Sequence, residues 1–309
     1  MALSVLKPGI QATLQAAPRL GLRHSGVPAS GPADPLSMAL ANRLVGNPSD
    51  ACTLEMPFGL LAFEATADCT VAFAGAEAGI DIDGGTARLH ETLRLGVGAR
   101  LRVGAPETGL RIYMAIAGGF RGEAFLGSAS TCLPAGFGGF GGRALQAGDT
   151  LEIAAPANAP ARQETPVAMR PAFTHSFALR CVEGPDVSAI PDWSPEQAFQ
   201  ATRRGDRIGV EISGPWPTPD DAAMKPSAPV FPGAVQLTPS GDAFVLLPDS
   251  QTTGGYPHVL QVIRADRHLL GQIRPGDRIR FLRRTPDEAA EDLRRKTEWF
   301  RAWLPDFRF

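Results

Sequence analysis

Apolar residues along the chain fall into many short runs separated by turn residues, and this spacing predicts strands. Such runs stand at 70–74, 110–116, 150–153, 207–212, 244–247, 259–263 and 278–282. Gly148-Asp149 and Gly276-Asp277 precede two of them, and a Gly-Asp pair ahead of an apolar run reads as a tight turn feeding a strand. Two segments follow helical spacing instead. In the first, Asp34 is placed as N-cap, Pro35 as first helical residue and Gly46 as terminator, with Leu36, Leu40 and Leu44 on one face. In the second, Thr285-Pro286-Asp287-Glu288 forms a capping box, and Leu293, Phe300 and Leu304 mark the apolar stripe of a helix over 286–304.

The pattern predicts a mainly β protein with few short helices. Residues 1–153 read as an N-terminal β-rich half and 177–309 as a C-terminal barrel-like half ending in the helix. Residues 154–176 between them, rich in Ala, Pro and polar side chains without apolar periodicity, read as a linker. The halves show no clear repeat.

Composition narrows the function classes. With 309 residues, 44% hydrophobic and 20% charged, the chain can bury a sizeable core. A formal net charge of -2 gives no electrostatic case for nucleic acid or an anionic membrane. No apolar run approaches the roughly 20 residues of a membrane span. The N-terminus lacks a basic, apolar signal segment, so a cytoplasmic location and reduced thiols at Cys52, Cys69, Cys132 and Cys181 are expected. Arginine far exceeds lysine, which occurs only at Lys7, Lys225 and Lys296. Carboxylate or phosphate recognition would favour arginine, but codon preference gives the same excess and is the plainer source.

Several motifs carry chemistry on paper. Residues 136–141 spell G-x-G-x-x-G, but no helix is expected after them, as dinucleotide binding requires. They suit either a glycine-rich anion loop beside Arg143 or a wide turn with Phe137 and Phe140 as core plugs. No P-loop and no nucleophile elbow is present. Ser30 reads as a turn or cap residue. The five histidines form no pair at metal-ligand spacing, and no metal site is expected. Ala223-Met224-Lys225 matches a biotinylation tripeptide, yet the surrounding prolines leave no room for the hairpin such a lysine needs. The stretch Gln251-Thr252-Thr253-Gly254-Gly255-Tyr256-Pro257 joins two predicted strands and is richer than a plain turn demands. Its glycines allow close backbone approach, and its amide, hydroxyls and phenol suit amides, carboxylates or phosphates. A large structural turn fits it almost as well.

The order of short motifs resembles the family of 5-oxoprolinase C-subunits, or KipA-type proteins, also called allophanate hydrolase subunit 2 or the biotin-dependent carboxyltransferase family. The matching pieces are residues 26–34, 41–47, Leu54-Glu55, Gly75-Ala76, 117–119, 127–131, Gly142-Arg143, 206–209, 232–236 and the 251–257 loop. The same domain forms half of the carboxyltransferase region of urea amidolyase. The chain departs from the family pattern at 14–19, which lack an acidic residue, and at Gly205, Ala228 and Cys132.

The resemblance implies a cyclophilin-like, β-barrel character and work as one part of a complex. The implied partners are the paralogous, KipI-type B-subunit of 5-oxoprolinase and its A-subunit, in a complex that uses ATP, with or without Mg, to open 5-oxoproline to glutamate. In that setting Asp34 and Asp206 are the carboxylates for a base or for water positioning, and Arg143 and Arg207 are the anion-holding groups. Gln236, Gln251, Thr252, Thr253, Gly254, Gly255, Tyr256, Ser30 and Asn42 are the substrate-binding set. The competing structural roles are a helix cap for Asp34 and an internal Asp206–Arg207 ion pair. Two other functions fit the same resemblance: a carboxyltransferase component that moves a carboxyl group from carboxybiotin to a urea- or amide-like acceptor, and a non-enzymatic antagonist of a kinase inhibitor.

Overall fold

The computed structural model describes residues 2–155, 158–190, 194, 197–217 and 225–309. The protein is mainly β and divides into two compact units. The first comprises Met1–Arg19, Ser30–Phe173 and Phe300–Arg308; the second comprises Leu20–Ala29, Thr174–Trp299 and Phe309.

The first unit holds two antiparallel sheets. One runs Thr150–Leu151, Leu3–Pro8, Leu61–Ala65, Arg100–Val103, Ile80–Ile82, Gly85–Ala87; the other runs Thr13–Gln15, Thr53–Pro57, Arg111–Ile116, Cys69–Gly75, Thr92–Leu95. Alternation places Leu61, Phe63 and Ala65 of one strand, and Leu101 and Val103 of the next, in a core shared with Leu54, Met56, Phe73, Ile112 and Met114 of the second sheet. Arg111–Ile116 is buried on both faces, because the helix Pro35–Leu44 covers the side turned from that core. That explains why the strand reads as a continuous apolar run and not as an alternating one. The helix starts as expected: the Asp34 carboxylate accepts from the Ser37 amide at 3.0 Å, and Pro35 takes the first turn.

The second unit is a closed barrel in the order Ser176–Glu183, His258–Val262, Ala234–Leu237, Ala243–Leu246, Gly209–Ser213, Phe199–Gly205, Arg278–Arg283. The parallel pairing of Ser176–Glu183 with Arg278–Arg283 closes it. A barrel has no free edge to protect, so its strands can be short. A separate ribbon pairs Ala228–Pro229 with Thr253–Gly254. The capping box closes as written: the Thr285 amide donates to Glu288 at 2.8 Å, the Glu288 amide donates to the Thr285 hydroxyl at 3.2 Å, and the helix runs Pro286–Arg301.

Two segments follow a different course from the halves expected above. Residues 20–29 leave the N-terminal stretch and belong to the barrel unit. Residues 158–173 belong to the first unit, where Thr165 is fully buried and the Gln163 carbonyl accepts from the Thr92 amide. Their lack of apolar periodicity reflects anchoring by hydrogen bonds in place of an apolar stripe.

Candidate functional site

The 251–257 loop is bolted to the barrel through Gln236. This side chain is 1% exposed and sits on the strand Ala234–Leu237. Its Nε2 donates to the Tyr256 carbonyl at 3.1 Å, and its Oε1 accepts from the Gln251 side-chain Nε2 at 3.2 Å. A Cβ on Gly254 would stand 2.7 Å from Gln236 Nε2, so a side chain there would have to push the Gln236 amide off its hydrogen bonds. The facing ribbon holds the other side: the Val230 amide donates to the Thr252 carbonyl at 3.0 Å and the Lys225 amide to the Gly255 carbonyl at 3.1 Å.

With its backbone fixed in this way, the loop turns side chains outward. Thr253 and Tyr256 are exposed and Thr252 half-buried. Neither threonine hydroxyl has a hydrogen-bond partner among the described residues, so both are available to a ligand. Gln251 and Gln236 spend amide groups on one another and shape the floor.

Charged groups surround this floor. The Lys225 ammonium pairs with Asp186, which also accepts from the His258 amide at 2.9 Å. Burial raises the Asp186 carboxyl, but the Lys225 and His258 hydrogen bonds outweigh that and hold it below the usual range. Burial keeps the His258 imidazole below its ordinary value. Ala223 and Met224 lie outside the described residues, so of the biotinylation-like tripeptide only Lys225 is placed here. At the near end of the loop Arg23, from the 20–29 excursion, donates Nη2 to the carbonyls of Val230 at 2.6 Å and Gln251 at 2.9 Å.

Asp206 and Arg207 do not pair with each other. The Asp206 carboxylate accepts from the amides of Ile208 at 2.6 Å and Gly209 at 3.3 Å, and so shapes the turn between two barrel strands. Arg207 is buried against Asp249 in a two-pronged ion pair at 2.8 and 3.1 Å, just ahead of the loop.

In the first unit, Asp34 joins a buried network. The Asp34 amide donates to the Tyr113 hydroxyl at 2.8 Å, Tyr113 donates to Glu55 at 2.7 Å, and Arg111 pairs with Glu55 at 3.1 Å. Burial, then the Glu55 and Asp34 charges, push the Tyr113 phenol well above its usual range. Asn42 is fully buried and donates to the Ser49 and Ala51 carbonyls at 3.3 and 2.9 Å. Ser30 is buried in a left-handed conformation, and its hydroxyl has no partner among the described residues.

Arg143 grips Asp149 through both nitrogens at 2.8 Å and lies over the Phe140 ring. The glycine-rich stretch spends the Gly136, Gly139 and Gly142 amides on the carbonyls of Cys132, Glu123 and Gly138. It closes around Arg19, whose guanidinium stacks on Phe137 and donates to the Phe125 and Ser128 carbonyls at 2.9 and 3.1 Å and to that of Ser130. The wide-turn reading describes this stretch better than the anion loop. Phe137 stacks on Phe125 with ring centroids 4.4 Å apart.

The barrel, the Gln236-bound loop and the two-sheet unit match a known family. The model of the carboxyltransferase domain, subdomain A and B, covers residues 25–283. The chain belongs to that family. This carboxyltransferase-domain chain is 31% identical over 308 residues to the C-subunit of 5-oxoprolinase from Escherichia coli strain K12, with 97% of this chain and 98% of that one covered. It is 30% identical over 308 residues to urea amidolyase of Saccharomyces cerevisiae, spanning 91% of this chain and 16% of that one. Its fold superposes on a crystal structure of TTHA0988 with a TM-score of 0.84 at 34% identity, covering 91% of this chain and 56% of that one. No described helix of this family member is long and apolar enough to cross a membrane.

Sequence reasoning missed Arg23, Arg19 and the Glu55–Tyr113–Arg111 network. Arg23 sits in a stretch without periodicity and meets carbonyls more than two hundred residues away in sequence. The only advance signal was Glu55, which lies inside a family motif.

Proposed function

We propose that this chain is a cytoplasmic component of an ATP-dependent 5-oxoprolinase that opens 5-oxoproline to glutamate, with the B- and A-subunits of that enzyme as partners. The observation that carries this reading is the near end-to-end match to the 5-oxoprolinase C-subunit, at 98% of that relative's length. The geometry supports it: a loop with fixed backbone and unengaged threonine hydroxyls suits a small planar amide.

The lactam is resonance-stabilised, so water attacks slowly. Transfer of the γ-phosphoryl group to the lactam oxygen releases ADP and makes the ring carbon electrophilic. Water then adds there, the C–N bond breaks with a proton going to nitrogen, and a second water releases phosphate. In this chain Thr252 and Thr253 would hydrogen-bond the substrate, with Gly254 and Gly255 allowing close approach and Tyr256 offering a flat face. Gln236 and Gln251 would hold the loop in register. Asp34, Asn42, Asp206, Arg207 and Arg143 engage partners within this chain, which favours structural roles for them. The glycine-rich stretch does not fit ATP phosphates, since three of its amides are already spent. This favours phosphoryl transfer in the assembled complex.

Reconstitution with the A- and B-subunits, ATP and Mg should release glutamate from 5-oxoproline, measured by coupled assay; no turnover by the full set would refute the proposal. The match to urea amidolyase favours a second reading, carboxyl transfer from carboxybiotin. It requires a biotinylated partner, which a streptavidin blot of co-purified proteins would reveal.

A further inference from the structure

Within the barrel unit two half-buried arginines, Arg23 and Arg267, differ from Arg207 and Arg180, which are paired with carboxylates. Arg111 faces Glu55, Arg207 faces Asp249, and Arg180 faces Asp266 and Asp292. Arg23 and Arg267 have no carboxylate within ion-pair distance among the described residues. Both lie along the same short segment: Arg23 Nη2 donates to the Val230 carbonyl, and Arg267 Nε lies 3.3 Å from the Cβ position of Gly233.

Both guanidiniums are also short of acceptors. Among the described residues, Arg23 Nε and Nη1 and Arg267 Nε are buried and have no hydrogen-bond partner. A clamp for the 230 and 251 carbonyls needs only Nη2. Leaving charged donors desolvated and unmatched is costly, and supplying an oxyanion removes that cost. Burial pulls the Arg23 guanidinium below its usual range. Burial, and then the nearby Arg264 charge, lower Arg267 to about 10. The region is therefore positively charged and poor in water. It reaches the surface at Phe231, which is 49% exposed and whose ring lies 5.6 Å from Arg23 Cζ.

We infer that Arg23 and Arg267 form an oxyanion-binding site along residues 230–233 of the barrel unit, taking the carboxylate or phosphate group of a ligand. Guanidinium donors match the planar or tetrahedral oxygens of both groups. The Phe231 ring gives the rest of the ligand an apolar face. The site adjoins the 251–257 loop through the Arg23–Gln251 hydrogen bond, but it does not depend on the 5-oxoproline reading.

Calorimetric titration of the full chain with L-5-oxoproline, its neutral carboxamide and inorganic phosphate tests the site. At least one of the two anions should bind, and the carboxamide should bind more weakly than the acid. Binding by the acid alone identifies a substrate carboxylate; binding by phosphate identifies a phosphoryl group. Arg23→Gln and Arg267→Gln should each weaken binding about tenfold or more, and Arg23→Lys should restore part of it. Thermal unfolding at the wild-type temperature shows that a variant has kept its fold, and the two independent positions guard against loss of one. No binding of either anion at millimolar concentration, equal binding by the carboxamide, or unchanged binding in both Gln variants would overturn the inference. A reconstituted complex whose KM for 5-oxoproline ignores both variants, with no phosphate binding, would overturn it and leave the proposed function standing. Arginine-dependent phosphate binding without turnover would do the reverse.

Discussion

The Glu55 network in the first unit and the 251–257 loop in the second use similar residue types to opposite ends. Around Glu55, each oxygen accepts a hydrogen bond: Arg111 meets one, while Tyr113 and the Ala33 amide meet the other. The Tyr113 hydroxyl in turn accepts from the Asp34 amide, and Asp34 closes on Ser37. All five side chains are almost fully buried, so water and ligands have no access. Around the loop, the fixed groups are mostly backbone carbonyls and amides, and Thr252, Thr253 and Tyr256 are left to face outward. Polar residues in motif order thus mark either a scaffold or a site. What separates them is whether the side chain has already spent its hydrogen bonds.

The largest expected effect comes from opening the closed network. Glu55→Ala removes the carboxylate that faces the buried Arg111 and accepts from Tyr113 and the Ala33 amide, and should cost about 3–5 kcal/mol of stability, read as a large fall in the unfolding temperature. A loss no greater than that of an ordinary surface change would mean the network is not the scaffold described here.

Acid should act next. Burial, then the Arg170 charge, lower the His90 imidazole from 6.5 to about 4. The folded state therefore prefers neutral His90, and the unfolded chain takes up the proton first. The stabilisation is complete above about 6.5 and is lost as pH falls toward about 4, by up to roughly 3 kcal/mol. His258 and His268 in the second unit are lowered in the same direction, so the acid slope is shared. His90→Asn keeps a residue tolerant of the left-handed backbone at this position and should flatten part of the slope. Unfolding temperatures measured from pH 7 to pH 4.5 for both proteins check it; identical slopes would contradict the assignment.

Much of the scaffold is written locally. The Asp34-Pro35 start, the Thr285–Glu288 box and the Gly-Asp turns are short-range devices, and each appears where its chemistry requires. Apolar runs located the strands, although the 207–212 run begins too early: Arg207 leaves the ladder to meet Asp249, and the strand starts at Gly209. The closure of the barrel was not legible from pattern. It depends on the parallel pairing of strands about a hundred residues apart. The site was legible only in part. The letters of the 251–257 loop pointed to a polar ligand, but nothing local showed that Gln236 would be its anchor or that residues 20–29 would send Arg23 to it. Asp206 and Arg207 are neighbours in sequence, and their different backbone tasks send their side chains to different partners.

The smallest expected change in stability belongs to the open region, and it carries the central claim. Thr252→Val with Thr253→Val removes two hydroxyls that have no described partner, so stability should move by no more than about 0.5 kcal/mol. The decisive measurement is ATP-dependent glutamate release from 5-oxoproline by the reconstituted complex, comparing wild type with this double variant. Wild type should turn over, and the variant should lose about tenfold or more at an unchanged unfolding temperature. Equal turnover by the two proteins would contradict the placing of the ligand on this loop.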